Sequence, residues 1–486
     1  MHPATLDHAR ARSESSGAPP PFARAAVLPI VAAVALVQGV VAAIGGHWFD
    51  EVYMLVIGSR HLDWGSADQP PVAPLLAALM HAIAPDSLLV LRLPAVLATA
   101  AAVLVAALIA RELGGDRRAQ VLTAGAQATA LWTTMAGHWL TPYGLEPVEW
   151  LLLFWVLVRW LRTRDDRLLL ALGVVAGVAA ETKFQVLLLC AVLVVGVLVF
   201  GPRELLRRPL LWAGTGIAVV IAAPTLVWQA AHGWPQLQMG AVATAEAEFL
   251  YGGRPGVAGA LVLMAGLAGV VLGGYGLWRL VRAGGAHRFL GVSAVVLYAF
   301  FVVTEGRPYY LGGIYGLLAA AGAVALQRRR ESGHRRLRWA AWPAYALATL
   351  AAGAMLVLST TLAPSDAGLS IAQRAADAYH GLPAADRSRT ALMGDSYIIA
   401  AYLDGYGSRL DLPAAYSNNR AYGYFPPPPE GQDAVLFVGS TPDALRAYFT
   451  TVREVADGGQ DASVWLCTGR LQPWDRMWSQ LRTLTV

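Results

Sequence analysis

Apolar residues come in long uncharged runs over most of the chain, and only toward the C-terminus do short alternating runs replace them. Residues 25–46 carry no charge. As a helix rising about 1.5 Å per residue they are long enough to cross a bilayer's hydrocarbon core. Similar runs recur at 87–110, 119–136, 147–162, 167–181, 185–201, 210–229, 256–278, 289–304, 309–326 and 339–362. The pattern predicts about eleven membrane spans. The first run is longer than the core of a signal peptide, with no A-x-A site after it, and is read as a retained span.

The segment 72–84 is apolar but too short to span, and is predicted to lie along the interface as a helix, with Trp48 and Trp64 at headgroup level. It belongs to a long first loop, from His47 to about Asp86. Beyond Pro364 the periodicity changes. Strand-like runs start at Ala391, Ala434 and Ser463. Thr441-Pro442-Asp443 reads as a helix start leading into ALRAYFTTV, and QPWDRMWSQLRTL as a closing helix. The predicted fold is an all-α polytopic membrane protein with a small C-terminal α/β domain: a disordered tail at 1–24, a membrane domain at 25–362 and the α/β domain at 363–486.

Composition agrees with the membrane class. Of 486 residues, 56% are hydrophobic and 14% charged, and mean hydropathy is +0.49. The net charge of +5 is no nucleic-acid footprint, because the basic residues sit in short loops between apolar runs. Arg117 and Arg118, then Arg162, Arg164 and Arg167, then Arg203, Arg207 and Arg208, then Arg279, Arg282 and Arg288, then Arg328–Arg330 with Arg335, Arg336 and Arg338 mark one set of loops as cytoplasmic. The alternate loops hold Asp50, Glu146, Lys183, His232 and Arg307 and face outward. An odd number of spans also leaves 363–486 outside. Cys190 and Cys467 form neither a disulfide framework nor a metal cluster.

In a chain this sparing of charge, the adjacent acids Asp50 and Glu51 at the exit of the first span are the best chemical handle. Asp50 reads either as a reactive carboxylate at the membrane surface or as a solvated acid at the start of the next helix. Asp68 adds a third carboxylate just before the interfacial helix. Lys183 is the only lysine, set at the outer end of a span beside Glu181. It reads as a phosphate contact, a partner of that acid, or a span-end anchor. His138, Glu146 and Glu149 flank another outer loop, with Glu146 as a second acid or a helix-start carboxylate. The stretch LPAAYSNNRAYGYFPPPPEG, from Leu412, reads as a proline-stiffened surface loop in preference to a sugar-binding one of rings and amides. No His, Cys or Asp spacing demands a metal, so metal use stays open.

HWFDEVYMLVIGSRHLDWGSADQPPVAPLLA from His47 and RLPAVLATAAAVLVAALIARELGG from Arg92 resemble the GT-C polyprenyl-phosphate-sugar glycosyltransferases. That superfamily (glycosyltransferase family 39) includes the protein O-mannosyltransferases and the lipid A aminoarabinose transferases. GLEPVEWLLLFW at Gly144, ETKFQ at Glu181, LVWQAAHGWP at Leu226 and GRPYYLGGIYGLLAAAGA at Gly306 extend the resemblance over nearly all of 25–330. The tail, with PAAYSN, is similar to that of a bacterial subgroup.

The resemblance implies a GT-C fold in a bacterial cytoplasmic (inner) membrane. It implies transfer of a sugar from a polyprenyl-phosphate donor to an envelope acceptor, a glycan, lipid or protein, on the outer side. Asp50 matches the family's catalytic base, and Glu51 becomes a supporting catalytic residue. Arg307, where the family often has Lys, becomes the donor-phosphate ligand together with Tyr309, Tyr310 and Lys183. Asp68, Glu146 and His138 become substrate- or metal-assisting residues, with a divalent metal open. Direct displacement with one base implies inversion at the anomeric carbon. The alternatives are a transporter or flippase of a lipid-linked sugar, which would place its charges nearer the midplane, and a non-catalytic relative that binds acceptor. The sugar, the acceptor, the oligomeric state and the role of the C-terminal domain are not legible in the pattern.

Overall fold

The computed structural model describes residues 18–282, 285–333, 341–362, 365–459 and 462–485. Most of the expected 1–24 tail therefore lies outside the described residues. Helices form at all eleven apolar runs, because hydrocarbon offers no partner for a bare N–H or C=O and the helix satisfies each internally. Among the described residues four of them, Arg24–Ala42, Leu88–Glu112, Pro209–Ala231 and Ala341–Thr361, are long and apolar enough to cross a membrane alone.

Three runs depart from the expectation of straight spans. The run 256–278 is two helices, Gly253–Leu263 and Gly266–Arg282, bent by 93° and together fit to make a fifth span. Gly266 takes φ +70° at the break, and a Cβ there would meet the Thr129 carbonyl oxygen at 2.4 Å, so a neighbouring break sets this bend. That neighbour is the run 119–136, itself divided into Arg117–Ala128 and Leu131–Ala136. The run at 309 starts helix only at Tyr315, leaving Arg307, Tyr309 and Tyr310 on turns. A further helix, Pro235–Tyr251, occupies what reads as loop. At the arginine-bearing ends of the bundle, Glu112 pairs with Arg111 and Arg162, Asp116 with Arg330, and Asp166 with Arg208.

The first loop folds into two helices, Phe49–Arg60 and Val72–Ile83, the second where the short apolar segment predicts one. They approach closely at Gly58, where a Cβ would lie 2.0 Å from the Pro74 carbonyl oxygen.

The C-terminal region is a mixed five-stranded sheet in the order β2-β1-β3-β5-β4. Its strands are β1 (Thr390–Gly394), β2 (Ala415–Tyr416), β3 (Ala434–Gly439), β4 (Phe449–Ala456) and β5 (Ser463–Arg470). β1 runs parallel to β2 and β3, and β5 antiparallel to β3 and β4. Alternation divides the strands between two cores. Ala391, Met393, Val435 and Phe437 pack under Trp474 and Trp478 of the closing helix. Leu392, Leu436, Val438 and Val464 face the other way. There they join Val52, Tyr53, Met54 and Ile57 of the first loop and Ala400 and Leu403 of the helix Tyr397–Leu410 in one apolar cluster. The sheet region is thereby packed onto the helix that carries Asp50.

Two expectations are corrected here. The helix at Thr441 is a single turn, Asp443–Arg446, and FTTV opens strand β4, because β-branched residues beside a free edge of β5 pair with it. The loop from Leu412 is no surface loop. Ser417 and Asn419 are fully buried, with Asn418 donating to the Leu481 carbonyl (2.7 Å) and Asn419 to the Thr485 carbonyl (2.6 Å). Both cysteines are free.

Candidate active site

Asp50 and Glu51 lie in the first turn of one helix, where successive side chains diverge by about 100°. Divergence gives the two acids opposite surroundings. Glu51 turns inward, is fully buried, and accepts from Arg92 Nε (2.7 Å) and Nη2 (2.9 Å). Arg92, near the start of Leu88–Glu112 and itself 1% exposed, also donates to the carbonyls of Ala42, Ile44 and Gly46. This buried fork ties the end of the first span to the loop. Its signal in the sequence is a lone arginine inside an apolar run.

Asp50 turns the other way, into a cavity of about 800 Å³. Tyr143 donates to its Oδ2 (3.0 Å) and Tyr397 to its Oδ1 (3.4 Å), while the Trp48 indole N–H donates to Tyr143 Oη (2.6 Å). Burial pushes the Asp50 pKa up to about 6, against the pull of the Arg420 guanidinium and the two tyrosine hydroxyls. A carboxylate so placed is ionised at neutral pH yet far more basic than a solvated one.

The rest of the cavity wall is aromatic and charged. Trp48 stacks on Trp139 and Trp132 on Tyr309, with ring centroids 4.3 and 4.4 Å apart. Three cations line it, Lys183, Arg307 and Arg420, with three carboxylates, Asp50, Asp68 and Glu246. Lys183 Nζ lies 4.8 and 4.5 Å from the Tyr309 and Tyr310 ring centroids and donates to Glu146 (3.1 Å). Arg307 pairs with Glu246, on the helix Pro235–Tyr251. Arg420 donates to the other oxygen of Glu246 (3.4 Å) and lies 3.8 Å from Asp68. Asp68 accepts from Tyr53 (2.6 Å), and burial pushes its pKa up.

Of the residues singled out by sequence, Asp50, Asp68, Lys183, Arg307, Tyr309 and Tyr310 share this one wall. Glu51, Glu146 and His138 are not on it. Glu146 is the buried counter-ion of Lys183, and Glu51 that of Arg92. His138 stands behind the wall against Gln38 (3.0 Å), where burial pushes its pKa down to about 3 and keeps it neutral. Among the described residues no three His, Cys, Asp or Glu side chains gather as a metal would need.

Sequence reasoning missed Tyr143, Glu246, Tyr397 and Arg420. Glu246 lay in an unread helix, and Tyr397 and Arg420 come from the C-terminal sheet region, whose contact with the first loop no local pattern encodes. Arg420 also holds an unfavourable backbone, φ +49°, at a cost of about 1–2 kcal/mol. Its amide donates to the Thr483 carbonyl (2.8 Å), and the next amide, of Ala421, to Tyr53 Oη (2.8 Å).

The arrangement can take a proton at Asp50 while gathering negative charge among three cations across the same cavity. Comparison with known proteins bears on the fold and on part of the sequence. Residues 68–228 match the family profile described as Dolichyl-phosphate-mannose-protein mannosyltransferase. The fold is similar to that of ArnT from Cupriavidus metallidurans in the apo state, with a TM-score of 0.63 and 16% identity, covering 91% of this chain and 99% of that one. The same protein bound to undecaprenyl phosphate aligns with a TM-score of 0.62 and 17% identity, covering 92% and 100%. A search among curated proteins returns no match.

Proposed function

We propose that the chain is a polyprenyl-phosphate-dependent glycosyltransferase, a reading supported by its ArnT-like fold and by the match of residues 68–228 to the mannosyltransferase profile. On that premise it takes a sugar from a polyprenyl-phosphate carrier and passes it to an acceptor hydroxyl on the outer face of the cytoplasmic membrane. The observation that carries this reading is the single cavity joining Asp50 to Lys183, Arg307 and Arg420. The lipid phosphate bound by a protein of the same fold supports the class of donor.

In this reading the chain crosses the membrane about eleven times. The arginine-rich loops lie in the cytoplasm and the cavity opens outward. The acceptor oxygen attacks the anomeric carbon as Asp50 Oδ2 removes its proton, and the bond to the carrier phosphate breaks. The new bond forms on the face opposite the leaving group, so configuration inverts. Tyr143 and Tyr397 hold the carboxylate in place by donating to it before the proton arrives. Charge grows on the departing phosphate, and Arg307 and Lys183 stabilise it; Arg307 can grip two phosphate oxygens through its fork. Tyr309 and Tyr310 stand around Lys183 and set its position. Glu51 does its work through Arg92, by fixing the turn that aims Asp50.

Mass spectrometry of envelope lipids and glycans with and without the gene tests this. Loss of one sugar modification with build-up of its polyprenyl-phosphate donor is expected; an unchanged envelope profile would overturn it. The pH profile has a definite sign. Asp50 works deprotonated and its pKa is about 6, so kcat/KM should fall roughly tenfold per unit below that value and level off above it. A rate that rises on acidification would exclude Asp50 as the base.

A further inference from the structure

Arg307 and Arg420 both line the cavity but come from separate parts of the chain, one from a turn among the apolar helices and the other from the C-terminal sheet region. One carboxylate, Glu246, bridges them, giving one oxygen to each guanidinium. Each arginine still has capacity to spare. Arg307 Nη1 and Arg420 Nε are both buried and have no hydrogen-bond partner among the described residues. Buried guanidinium N–H groups are nearly always satisfied, so a pair left open around one acid marks a site built for more acceptor oxygens than Glu246 supplies.

Arg420 is held there against its own backbone preference. Its φ is +49°, its amide is anchored on Thr483, and Asn419 beside it is anchored on Thr485. Its guanidinium lies 4.3 Å from the centroid of Tyr397, whose hydroxyl donates to Asp50. A continuous line of contacts thus runs from the proposed base through Tyr397, Arg420 and Glu246 to Arg307. Strain held by tertiary anchors and ending on an unsatisfied cation is the pattern of a ligand-facing residue.

We propose that Arg420, delivered by the C-terminal domain, is a second ligand of the donor phosphate, and that Glu246 is the counter-ion the phosphate replaces between the two arginines. This rests on the reading of the cavity as a polyprenyl-phosphate-sugar site. The free oxygens of the carrier phosphate, two in the sugar-linked donor and three once the sugar has left, can meet both open guanidiniums, which the oxygens of Glu246 leave unsatisfied. A phosphate entering beside Arg307 would otherwise meet the like charge of Glu246. The C-terminal domain then completes the donor site, and a membrane domain without it would bind the donor phosphate through Arg307 and Lys183 alone.

The test is equilibrium binding of undecaprenyl phosphate to the purified full-length protein in nanodiscs, with undecaprenol and inorganic phosphate as companion probes. Arg420→Gln should weaken lipid-phosphate binding at least about tenfold, Arg420→Lys should recover part of it, and Glu246→Gln should tighten it several-fold. The opposite signs matter, because a purely structural bridge would lose affinity, or keep it, on removal of either partner. Thermal unfolding of each variant limits the comparison to folded protein. Unchanged affinity in Arg420→Gln, with Arg307→Gln defective, would overturn the role of Arg420 and leave the cavity reading intact. Glu246→Gln weakening the lipid as much as Arg420→Gln would overturn the exchange. If the wild-type protein binds undecaprenol as tightly as its phosphate, both readings fall together. Competition by millimolar inorganic phosphate against the lipid, lost in Arg420→Gln, would show that the site reads phosphate itself.

Discussion

Asp50→Asn should slow sugar transfer by about 10²–10⁴-fold while leaving donor binding near that of the wild type. The reason is local. Asn keeps the size of the side chain, and its single oxygen can still accept from one of Tyr143 and Tyr397, which hold the carboxylate at 3.0 and 3.4 Å, while its N–H donates to the other hydroxyl, but it cannot remove a proton. The cations that face the donor phosphate are untouched. Loss should therefore appear in kcat with little change in KM. Protein stability should be equal or higher. Burial raises the pKa of Asp50 to about 6, so the folded state loses stability as pH rises from the ordinary carboxylate range through 6. A neutral amide escapes that loss. Single-turnover kinetics with a purified polyprenyl-phosphate sugar and thermal unfolding in detergent check both halves. Near-normal turnover would remove Asp50 from the mechanism.

The neighbouring residue should behave in the opposite way. Arg92→Met or Glu51→Leu is expected to destabilise the fold by about 3–5 kcal/mol, because each strands its partner as an unpaired charge with essentially no exposure to water. Arg92→Met also leaves the carbonyls of Ala42 and Gly46 without their donor, loosening the first loop from the first span. The double variant Glu51→Leu with Arg92→Met should recover much of the loss, since no charge is then left unpaired. Fluorescence-detected size exclusion and unfolding midpoints report this directly. A well-folded, inactive Arg92→Met protein would instead point to a direct role for the pair in the reaction. Two residues one peptide bond apart are thus predicted to fail differently, one in chemistry and one in folding.

How much could be read in advance varied with the reach of the interaction. Asp50, Lys183 and Arg307 were legible because an apolar chain makes each charge conspicuous, and the alternation of arginine-rich loops assigns them a common side. The motif at Gly306 named Tyr309 and Tyr310, and both reach the cavity wall. Glu146 was legible as a conspicuous acid but not as a counter-ion, since its pairing with Lys183 joins two helices. The bend at Gly266 was hidden for the same reason, as it answers a break in another helix. The C-terminal strands were readable from period-two runs, yet β4 was not, because its pairing with β5 decided a segment whose local signals favoured a helix start.

The sequence by itself determined the class of protein, the positions of the apolar helices, the sheet's main strands and the acid at the head of the first loop. Each follows from local hydropathy and charge, which operate within one turn or one strand. Only the tertiary structure decided that Asp50 faces the cavity while Glu51 faces Arg92, that the tail closes over the first loop, and that Arg420 and Glu246 join Arg307 across the cavity. Those facts depend on packing between segments as far apart as Tyr53 and Ala421. Single-chain periodicity records which face of an element is apolar, not which distant element will cover it.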